Sequence, residues 1–319
     1  MIETTDALTT RDKLGALRVR MGINRNSYSV SPGLYGINTP TEDSPVYVSA
    51  NYKLSFDHLR ASLTGLDGWI LVLDTRGINV WCAAGKGTFG TDELTRRISE
   101  TNLADVVRHR KLILPQLGAP GVAAHEVKAQ TGFRVIYGPV EARDIRDFIR
   151  AGMSTTPEMR EKKFPLGDRA VLTLLELRQS WKVVLPAIVI SVLATWLMGK
   201  WVDVRFAVDI LPSLVAGLAG AFLTPVLLPF LPFRAFSAKG AFAGAVCAVA
   251  VVPPLPQLLL GSGVMVTLSS FLAMNFTGAS TYTSLSGVQK EMRVAVPLQI
   301  SLAAIALGLR IVFGLVTRT

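Results

Sequence analysis

The sequence predicts a two-part protein, in which an α/β domain with a parallel sheet precedes an all-helical transmembrane domain. Two observations support this prediction. From residue 46 to 152, short apolar runs alternate with amphipathic runs, as strands and helices do in a parallel sheet covered on both faces. Beyond Lys182, the apolar runs reach about 20 residues, the length that crosses a bilayer core of about 30 Å.

Composition separates the same two parts. The chain has 319 residues, of which 50% are hydrophobic and only 18% charged, and its last 137 residues contain eight Lys or Arg and three Asp or Glu. Soluble domains carry about 25% charged residues. The net charge of +10 is shared equally by the two parts, and neither has a dense basic block that would neutralise a row of phosphates. We therefore expect no nucleic acid as a partner.

The α/β domain is predicted to contain four strands and four helices. The strands are short, rich in β-branched and aromatic residues and closed by turn signals; they lie at 46–48, 69–73, 111–114 and 133–137. The helices alternate with them at 55–65, 91–101, 122–131 and 141–151, with Ser55 and Thr91 as N-caps. Parallel strands end at one common edge of their sheet, so a ligand is expected at that edge.

The predicted domain limits follow from these patterns. Residues 1–45 are expected to form a polar N-terminal arm with turns, 46–152 the α/β domain, 153–182 a linker with an amphipathic helix, and 183–319 the transmembrane domain. The chain starts without the basic-then-apolar pattern of a signal peptide, so we expect the α/β domain to stay in the cytoplasm and the protein to lie in the inner membrane.

About five membrane spans are predicted, near 183–199, 206–232, 238–260, 263–281 and 294–316. With this count, the basic loops around Arg234 and Lys290 fall on the same side as the α/β domain, as the positive-inside rule requires. Asp209 and Arg310 would lie at membrane depth, where an ionisable side chain marks a functional site or snorkels to the boundary.

The most unusual segment, residues 77–90, follows the strand at 69–73 and contains Cys82. Gly85, Gly87 and Gly90 match G-x-G-x-x-G, but the direct strand-to-helix turn of a dinucleotide site is missing. Cys82 is also a candidate nucleophile, activated by a helix N-terminus or by Lys86, or a buried inert thiol. A further interpretation makes Cys82 the axial ligand of a metal in a flat macrocycle, since its small neighbours would let the helix lie close to a planar group.

Residues 79–86, Asn-Val-Trp-Cys-Ala-Ala-Gly-Lys, resemble the cap-helix motif of the mercury-methylating corrinoid proteins, and the similarity continues to Leu94. Three other segments resemble the same family, at 49–56, 114–121 and 274–278. The α/β half is also similar to the corrinoid-binding domain of the corrinoid iron-sulfur protein of acetyl-CoA synthesis. The resemblance extends from about residue 15 to the C-terminus.

This resemblance implies a Rossmann-like domain that binds a cobalamin-type corrinoid, with Cys82 as the catalytic residue and as the lower axial ligand of its cobalt. Ser49 stands where threonine is expected in many relatives, so its hydroxyl is retained. The Asp-x-His-x-x-Gly signature of other cobalamin sites is absent from the sequence. The implied cofactor-binding residues are Ser49, Asn51, Asn79, Val80, Trp81, Cys82, Ala83, Ala84, Gly85, Lys86, Gly118, Gly121, Tyr137 and Gly138.

The implied activity is methyl transfer from cobalt to Hg(II), which forms methylmercury. Because Hg(II) is an electrophile, the methyl group must leave as a carbanion or a radical, and a thiolate ligand favours this by donating electron density to cobalt. Two cysteines are too few for an iron-sulfur cluster. The family accordingly implies a ferredoxin-like partner with two four-iron four-sulfur clusters, and a methyltetrahydrofolate-dependent system as methyl donor. The alternatives are a membrane-bound methyl carrier for acetyl-CoA synthesis and a transporter with a cytosolic domain.

Overall fold

A computed structural model describes residues 1–197, 206–252, 259, 261–279 and 285–316. The chain divides into two compact units, Met1–Lys163 and Phe164–Thr319. Unit 1 combines strands with helices, and the described part of unit 2 is helical. The predicted order of an α/β domain followed by a helical region is therefore confirmed.

Unit 1 is built around a six-stranded sheet. Its strands are β1 (Ile2–Thr4), β2 (Gly33–Ile37), β3 (Val46–Ala50), β4 (Gly68–Leu73), β5 (Lys111–Leu114) and β6 (Arg134–Tyr137). Its helices are α1 (Thr10–Arg20), α2 (Lys53–Ser62), α3 (Val80–Gly85), α4 (Thr91–Glu100), α5 (Leu103–Val106), α6 (Ala124–Thr131) and α7 (Ile145–Arg150). The four strands and four helices predicted between residues 46 and 152 are present, with shifts of a few residues at their ends.

Helices cover the sheet on both faces, as predicted. The alternating side chains of β4 make the two faces apolar: Leu71 and Leu73 point into one core, and Ile70 and Val72 into the other. Leu94 of α4 and Val127 of α6 close the first core, while Phe56 of α2 and Phe148 of α7 close the second. Burial on both faces explains why these strands read as continuous apolar runs in the sequence.

The strand order is β1-β2-β4-β3-β5-β6. Successive strands are therefore added on opposite sides of β3. From β3 the next strand lies on one side, at β4, whereas β5 and β6 lie on the other side. β3 pairs with β4 over five residues but with β5 only at Tyr47 and Ile113. The gap between β3 and β5 is therefore a topological switch point, the position where open α/β sheets bind ligands.

The structure corrects the prediction for residues 1–45. This segment is not an irregular arm, since it supplies β1, α1 and β2 to unit 1. β2 runs antiparallel to β4, so the sheet is mixed rather than wholly parallel. Tyr35 of β2 packs on Phe56 with ring centroids 4.9 Å apart. α1 buries only Val19, so it carries no apolar periodicity that a sequence pattern would detect.

The described part of unit 2 consists mainly of apolar helices. They are α8 (Leu166–Leu197), α9 (Phe206–Leu218), α10 (Thr224–Val226), α11 (Phe236–Val251), α12 (Ser262–Asn275) and α13 (Leu285–Val316), and a π-helical stretch, Ala219–Leu223, joins α9 to α10. α8 runs through residue 182 without a break, so the predicted amphipathic helix and the first predicted span belong to one helix.

Two described helices are long and apolar enough to cross a membrane, Leu166–Leu197 and Ser286–Phe313. Three apolar helices are shorter: Ile210–Val226, Phe236–Val251 and Ser262–Asn275. The predicted count of five spans is not confirmed. Parts of the predicted spans lie outside the described residues, as does the side chain of Asp209.

The predicted basic loops of unit 2 do meet at one end. Glu291 of α13 accepts a hydrogen bond of 2.6 Å from the backbone N–H of Ser237 at the start of α11, and Arg234 and Lys290 line one cavity there. Phe164, where the chain enters unit 2, stacks on Phe276 just after α12, with centroids 6.3 Å apart. Because Phe236 at the start of α11 belongs to the same apolar cluster as Phe164 and Phe276, the entry point and the basic residues share this end of unit 2.

Candidate cofactor site at the carboxyl edge of the sheet

The segment that carries Cys82 forms a short capped helix, as the sequence predicts. After β4, a loop leads to α3, whose N-cap is Asn79. The Asn79 side-chain oxygen accepts a hydrogen bond of 2.9 Å from the backbone N–H of Cys82. Such a cap satisfies one of the N–H groups that a helix start leaves unpaired. The backbone of Cys82 is therefore tied directly to the start of its helix.

α3 has a buried face and an exposed face. Ala83 and Ala84 are 0% and 6% exposed and pack into the core beneath the helix. Trp81 is 51% exposed, and Cys82, Gly85 and Lys86 are exposed with it. The interpretation of Cys82 as a buried inert thiol is therefore wrong.

The sequence predicted that the small residues of α3 face a ligand, but not all of them do. Ala83 and Ala84 serve close packing on the domain rather than approach to a ligand. Of the small residues after Cys82 in α3, only Gly85 lies on the exposed side.

A cleft of about 350 Å³ opens beside α3, at the switch point between β3 and β5. Ligand pockets commonly measure about 300–1,000 Å³, so this cleft has the volume for part of a large cofactor. Its walls come from the carboxyl ends of β3, β5 and β6, from α2 and from the start of α3. Five of the predicted cofactor residues line it: Ser49, Asn79, Val80, Trp81 and Gly138.

The remaining walls of the cleft come from residues outside the predicted set of cofactor-binding residues. They include Tyr52, Ser55 and His58 from the β3–α2 side, and Pro115, Leu117, Pro139 and Glu141 from the loops after β5 and β6. The sequence signal for these residues was their position directly after predicted strands, which is where a parallel sheet exposes its loops.

Gly118 and Gly121 lie in a 3-10 turn, Gln116–Gly121, that packs against α3. A Cβ atom at Gly118 would lie 2.5 Å from the Phe89 ring, and one at Gly121 would overlap the Phe89 carbonyl oxygen and lie 3.1 Å from the Ala84 Cα. Close packing against the α3 segment therefore requires glycine at both positions. Their predicted contact with a cofactor stays a prediction.

Tyr137 supports the same turn from below. Its hydroxyl donates a hydrogen bond of 2.8 Å to the carbonyl oxygen of Val122, and burial raises the pKa of this phenol. The hydroxyl therefore remains a neutral donor at physiological pH. The structure gives Tyr137 a bracing role; its predicted contact with a cofactor stays a prediction.

Asn51 lies immediately after β3 and is 5% exposed. Its side-chain oxygen accepts hydrogen bonds from the backbone N–H groups of Thr75 at 3.1 Å and Gly77 at 2.9 Å. Its side-chain nitrogen donates to the Asp74 carboxylate at 3.2 Å. All three partners belong to the loop that leads into α3, so Asn51 organises this loop.

Glu93 of α4 holds the same loop and was not predicted as a site residue. Its carboxylate accepts the Asp74 backbone N–H at 2.7 Å and pairs with Arg97 at 2.8 Å and with Arg96. Burial acts to raise the pKa of Glu93, but the bond from Asp74 and the two arginines outweigh it and keep this pKa below its ordinary value. The clue available in the sequence was its place within the run from Asn79 to Leu94, which resembles the cap-helix motif.

Each of the three histidines contacts a group other than Cys82. His58 lies 3.3 Å from Arg20, His109 lies 2.9 Å from the Ser44 carbonyl oxygen, and the exposed His125 lies 3.9 Å from Glu126. A general base for a nucleophilic Cys82 would need to lie within hydrogen-bonding distance of it. The geometry gives no support to the nucleophile interpretation.

Across the described ranges, no group of three His, Cys, Asp or Glu side chains is arranged to hold a metal ion. Cys82 therefore offers one exposed sulfur ligand rather than part of a protein-built metal site. A single soft ligand suits a metal whose other positions are filled by a macrocycle. The donor set and the adjoining cleft at the strand ends thus fit a corrinoid.

Comparison with known proteins supports this assignment. Residues 11–149 match the family described as CO dehydrogenase/acetyl-CoA synthase delta subunit. The chain is 34% identical over 127 residues to the acetyl-CoA decarbonylase/synthase complex subunit gamma of Archaeoglobus fulgidus, covering 39% of this chain and 27% of the relative. It is 30% identical over 128 residues to the corrinoid/iron-sulfur protein large subunit of Moorella thermoacetica, covering 40% and 28%.

The subunit gamma of Methanopyrus kandleri is 33% identical over 127 residues, with 39% of this chain and 27% of the relative covered. The chain thus spans about a quarter of the length of these relatives, and the residues matched by the family model lie within unit 1. Unit 1 is therefore related to the corrinoid proteins of acetyl-CoA synthesis, as its resemblance to their corrinoid-binding domain predicted.

Proposed function

We propose that the protein is a membrane-bound, corrinoid-dependent methyltransferase in which Cys82 is the lower axial ligand of cobalt. The observation that carries this proposal is the exposed Cys82 on a capped helix, beside a cleft at the carboxyl edge of the sheet. The relation of unit 1 to corrinoid proteins supports a cobalamin-type cofactor. When bound, the corrinoid would supply a cobalt-bound methyl group for transfer.

The residues of the site would have four roles. The Cys82 thiolate would donate electron density to the metal. Trp81 and Gly85, which share the exposed side of α3, would lie against the ring, and Ser49 and Gly138 would hold its substituents at the strand ends. Asn79 would keep the Cys82 backbone in place through the helix cap.

We propose Hg(II) as the methyl acceptor, with methylmercury as the product. The support is the run from Asn79 to Leu94, which resembles the cap-helix motif of the mercury-methylating corrinoid proteins. The bound corrinoid would supply CH3⁻ to Hg(II) to give CH3Hg⁺, and it would need two electrons from a separate donor before it could accept another methyl cation. The two cysteines of this sequence cannot build a cluster to supply these electrons. A ferredoxin-like protein with two four-iron four-sulfur clusters is the proposed donor, and a methyltetrahydrofolate-dependent system the proposed methyl source.

The second candidate function is a membrane-bound methyl carrier for acetyl-CoA synthesis. The comparisons favour it, because the relatives in hand are named as subunits of that complex or as a corrinoid/iron-sulfur protein. The two candidates share the same cofactor site and differ in the methyl acceptor. Cells that contain the protein should form labelled methylmercury from isotopic Hg(II) if the first is correct; formation of acetyl-CoA that depends on the protein, without methylmercury, would establish the second.

Replacement of Cys82 by Ala tests the site itself. We expect this variant to abolish methylmercury formation while the protein still reaches the membrane. Cys247→Ala is the matched control, because Cys247 is the other cysteine of the sequence and lies in α11 of unit 2. Cys82→His should retain cobalt ligation but transfer methyl more slowly, since neutral imidazole donates less charge than thiolate. Normal production by Cys82→Ala would remove Cys82 from the mechanism.

We also propose that unit 2 lies in the cytoplasmic membrane with unit 1 in the cytoplasm. Two membrane-length helices and the shared end of the basic residues and Phe164 support this orientation. In closed spheroplasts, an impermeant thiol reagent should label Cys82 only after lysis. Labelling of Cys82 in intact spheroplasts would reverse the orientation.

A further inference from the structure

The loop between β4 and α3 has a backbone that needs external support. Arg76 and Gly77 are consecutive residues with φ of 57° and 70°, in the left-handed region. Arginine has a Cβ atom and rarely adopts this conformation. The loop nevertheless ends directly at the cap residue Asn79, so its shape sets the position of α3.

Two side chains from different elements supply that support. Asn51, from the end of β3, accepts the N–H groups of Thr75 and Gly77 and donates to the Asp74 carboxylate. Glu93, from α4, accepts the N–H of Asp74 at 2.7 Å. Asn51 and Glu93 therefore bind the loop from both sides.

The buried Thr75 connects Asn51 to the end of the loop. Its hydroxyl oxygen lies 2.8 Å from the Asn51 side-chain oxygen and 2.6 Å from the carbonyl oxygen of Ile78. Ile78 precedes Asn79, whose side chain holds the Cys82 N–H. An unbroken series of short contacts therefore joins Asn51 to the backbone of Cys82.

On its other side, α3 packs against the turn that contains Gly121. The approach is so close that a Cβ atom built at Gly121 would lie 3.1 Å from the Ala84 Cα. This contact limits movement of α3 towards the core. It does not fix rotation or sliding of the helix, because Ala83 and Ala84 present only methyl groups. The hydrogen bonds to the loop are directional and restrict these motions.

We propose that Asn51 and Glu93 are positioning residues that hold α3 in the one orientation in which the Cys82 sulfur meets the metal. This inference rests on the proposed function, and it reassigns Asn51 from contact with the cofactor to support of its ligand. In this role Glu93 acts through the carboxylate oxygen that accepts the Asp74 N–H.

The test uses the full chain loaded with cobalamin and measures cobalt–sulfur ligation by X-ray absorption and by EPR of the Co(II) form. Asn51→Ala and Glu93→Ala should each lower the ratio of sulfur-ligated to unligated cobalt about tenfold. Asn51→Ala leaves the buried Thr75 N–H without its acceptor, and Glu93→Ala removes the hydrogen bond that ties Asp74 to α4. Glu100→Ala is the matched control: Glu100 also pairs with Arg96 and Arg97 on α4 but makes no bond to the loop. It should keep the wild-type ratio.

Glu93→Gln keeps an acceptor oxygen and should restore most of the sulfur ligation lost in Glu93→Ala. A Glu93→Gln variant as defective as Glu93→Ala would overturn the acceptor role. Hydrogen exchange of residues 75–86 gives a readout without cofactor, and it should rise in Asn51→Ala but not in Glu100→Ala.

The outcomes separate the two proposals. Wild-type ligation in both Asn51→Ala and Glu93→Ala overturns the positioning role and leaves the proposed function intact. Cobalamin bound without a sulfur neighbour in the wild-type protein, or no cobalamin bound at all, overturns the proposed function and the inference built on it.

Discussion

Replacing Gly121 by Ala is expected to destabilise unit 1 by about 3 kcal/mol and to displace α3. The added Cβ atom would overlap the Phe89 carbonyl oxygen and lie 3.1 Å from the Ala84 Cα and 3.3 Å from the Ala84 Cβ. Carbon atoms in contact are normally about 3.5–4.0 Å apart. The neighbours on both sides are backbone, which cannot rotate away, so relief requires the turn and α3 to separate.

The magnitude follows from the cost of overpacking. Inserting a methylene into a well-packed core costs about 1–3 kcal/mol, and the two backbone contacts place this site at the upper end. Burial of the methyl group returns less than about 1 kcal/mol. The structure therefore predicts both a lower free energy of unfolding and a Cys82 that is moved from its place.

Native-state hydrogen exchange of the full chain measures this effect where it occurs. Core amides of β4 report the free energy of opening of unit 1, and those of residues 80–90 report the position of α3. Gly85→Ala is the control, because no atom lies within 4 Å of a Cβ atom at Gly85 and this glycine lies in a helix. Unchanged exchange in Gly121→Ala would refute the account of α3 as a helix packed tightly on this turn.

Three further predictions concern other parts of the protein. Gly85→Ala should leave unit 1 as stable or stabilise it by about 0.5–1 kcal/mol, yet weaken cobalamin binding in an absorbance titration, because its methyl group would stand on the exposed face of α3. The free energy of unfolding should fall as pH drops below 4.5. The fold holds the pKa of Glu93 below its value in the unfolded chain, so the charged carboxylate stabilises the fold above that value, and this stabilisation is lost as pH falls towards the pKa in the folded state. Thermal unfolding of Glu93→Gln should show a shallower fall with pH. Gly244→Val should separate α11 from α12 in unit 2, where a Cβ atom would lie 2.6 Å from the Met265 carbonyl oxygen, and should lower the melting temperature in detergent, whereas an unchanged temperature would contradict this contact.

Much of the fold was accessible to pattern analysis because its signals are local. The strands β3 to β6 are continuous apolar runs, and α2, α4 and α6 follow them with recognisable boundaries. β2 was missed because the two glycines of Gly-Leu-Tyr-Gly-Ile interrupt its apolar run and lower its β propensity. Its pairing with β4, 31 or more residues further along the chain, stabilises it instead.

In the candidate site, too, local signals were recognisable in the sequence and long-range contacts were not. Cys82, its N-cap Asn79 and the neighbouring Trp81 are adjacent in the chain, so a short motif identifies them. Glu93 depends on a contact with Asp74, 19 residues earlier, and Asn51 depends on contacts 23 to 26 residues away. Nothing in their local sequence distinguishes a residue that binds a cofactor from one that supports its ligand.

The sequence by itself determined that an apolar helical region follows an α/β domain, and that a lone cysteine lies in a small-residue segment after a buried strand. Both conclusions depend on periodicity, composition and residue order, which the chain carries locally. Only the tertiary structure decided that Ala83 and Ala84 face the core while Cys82 faces outward, and that the gap between β3 and β5 opens beside it. Those facts arise from the packing of distant segments against one another, and the orientation of a six-residue helix is set by what lies beneath it.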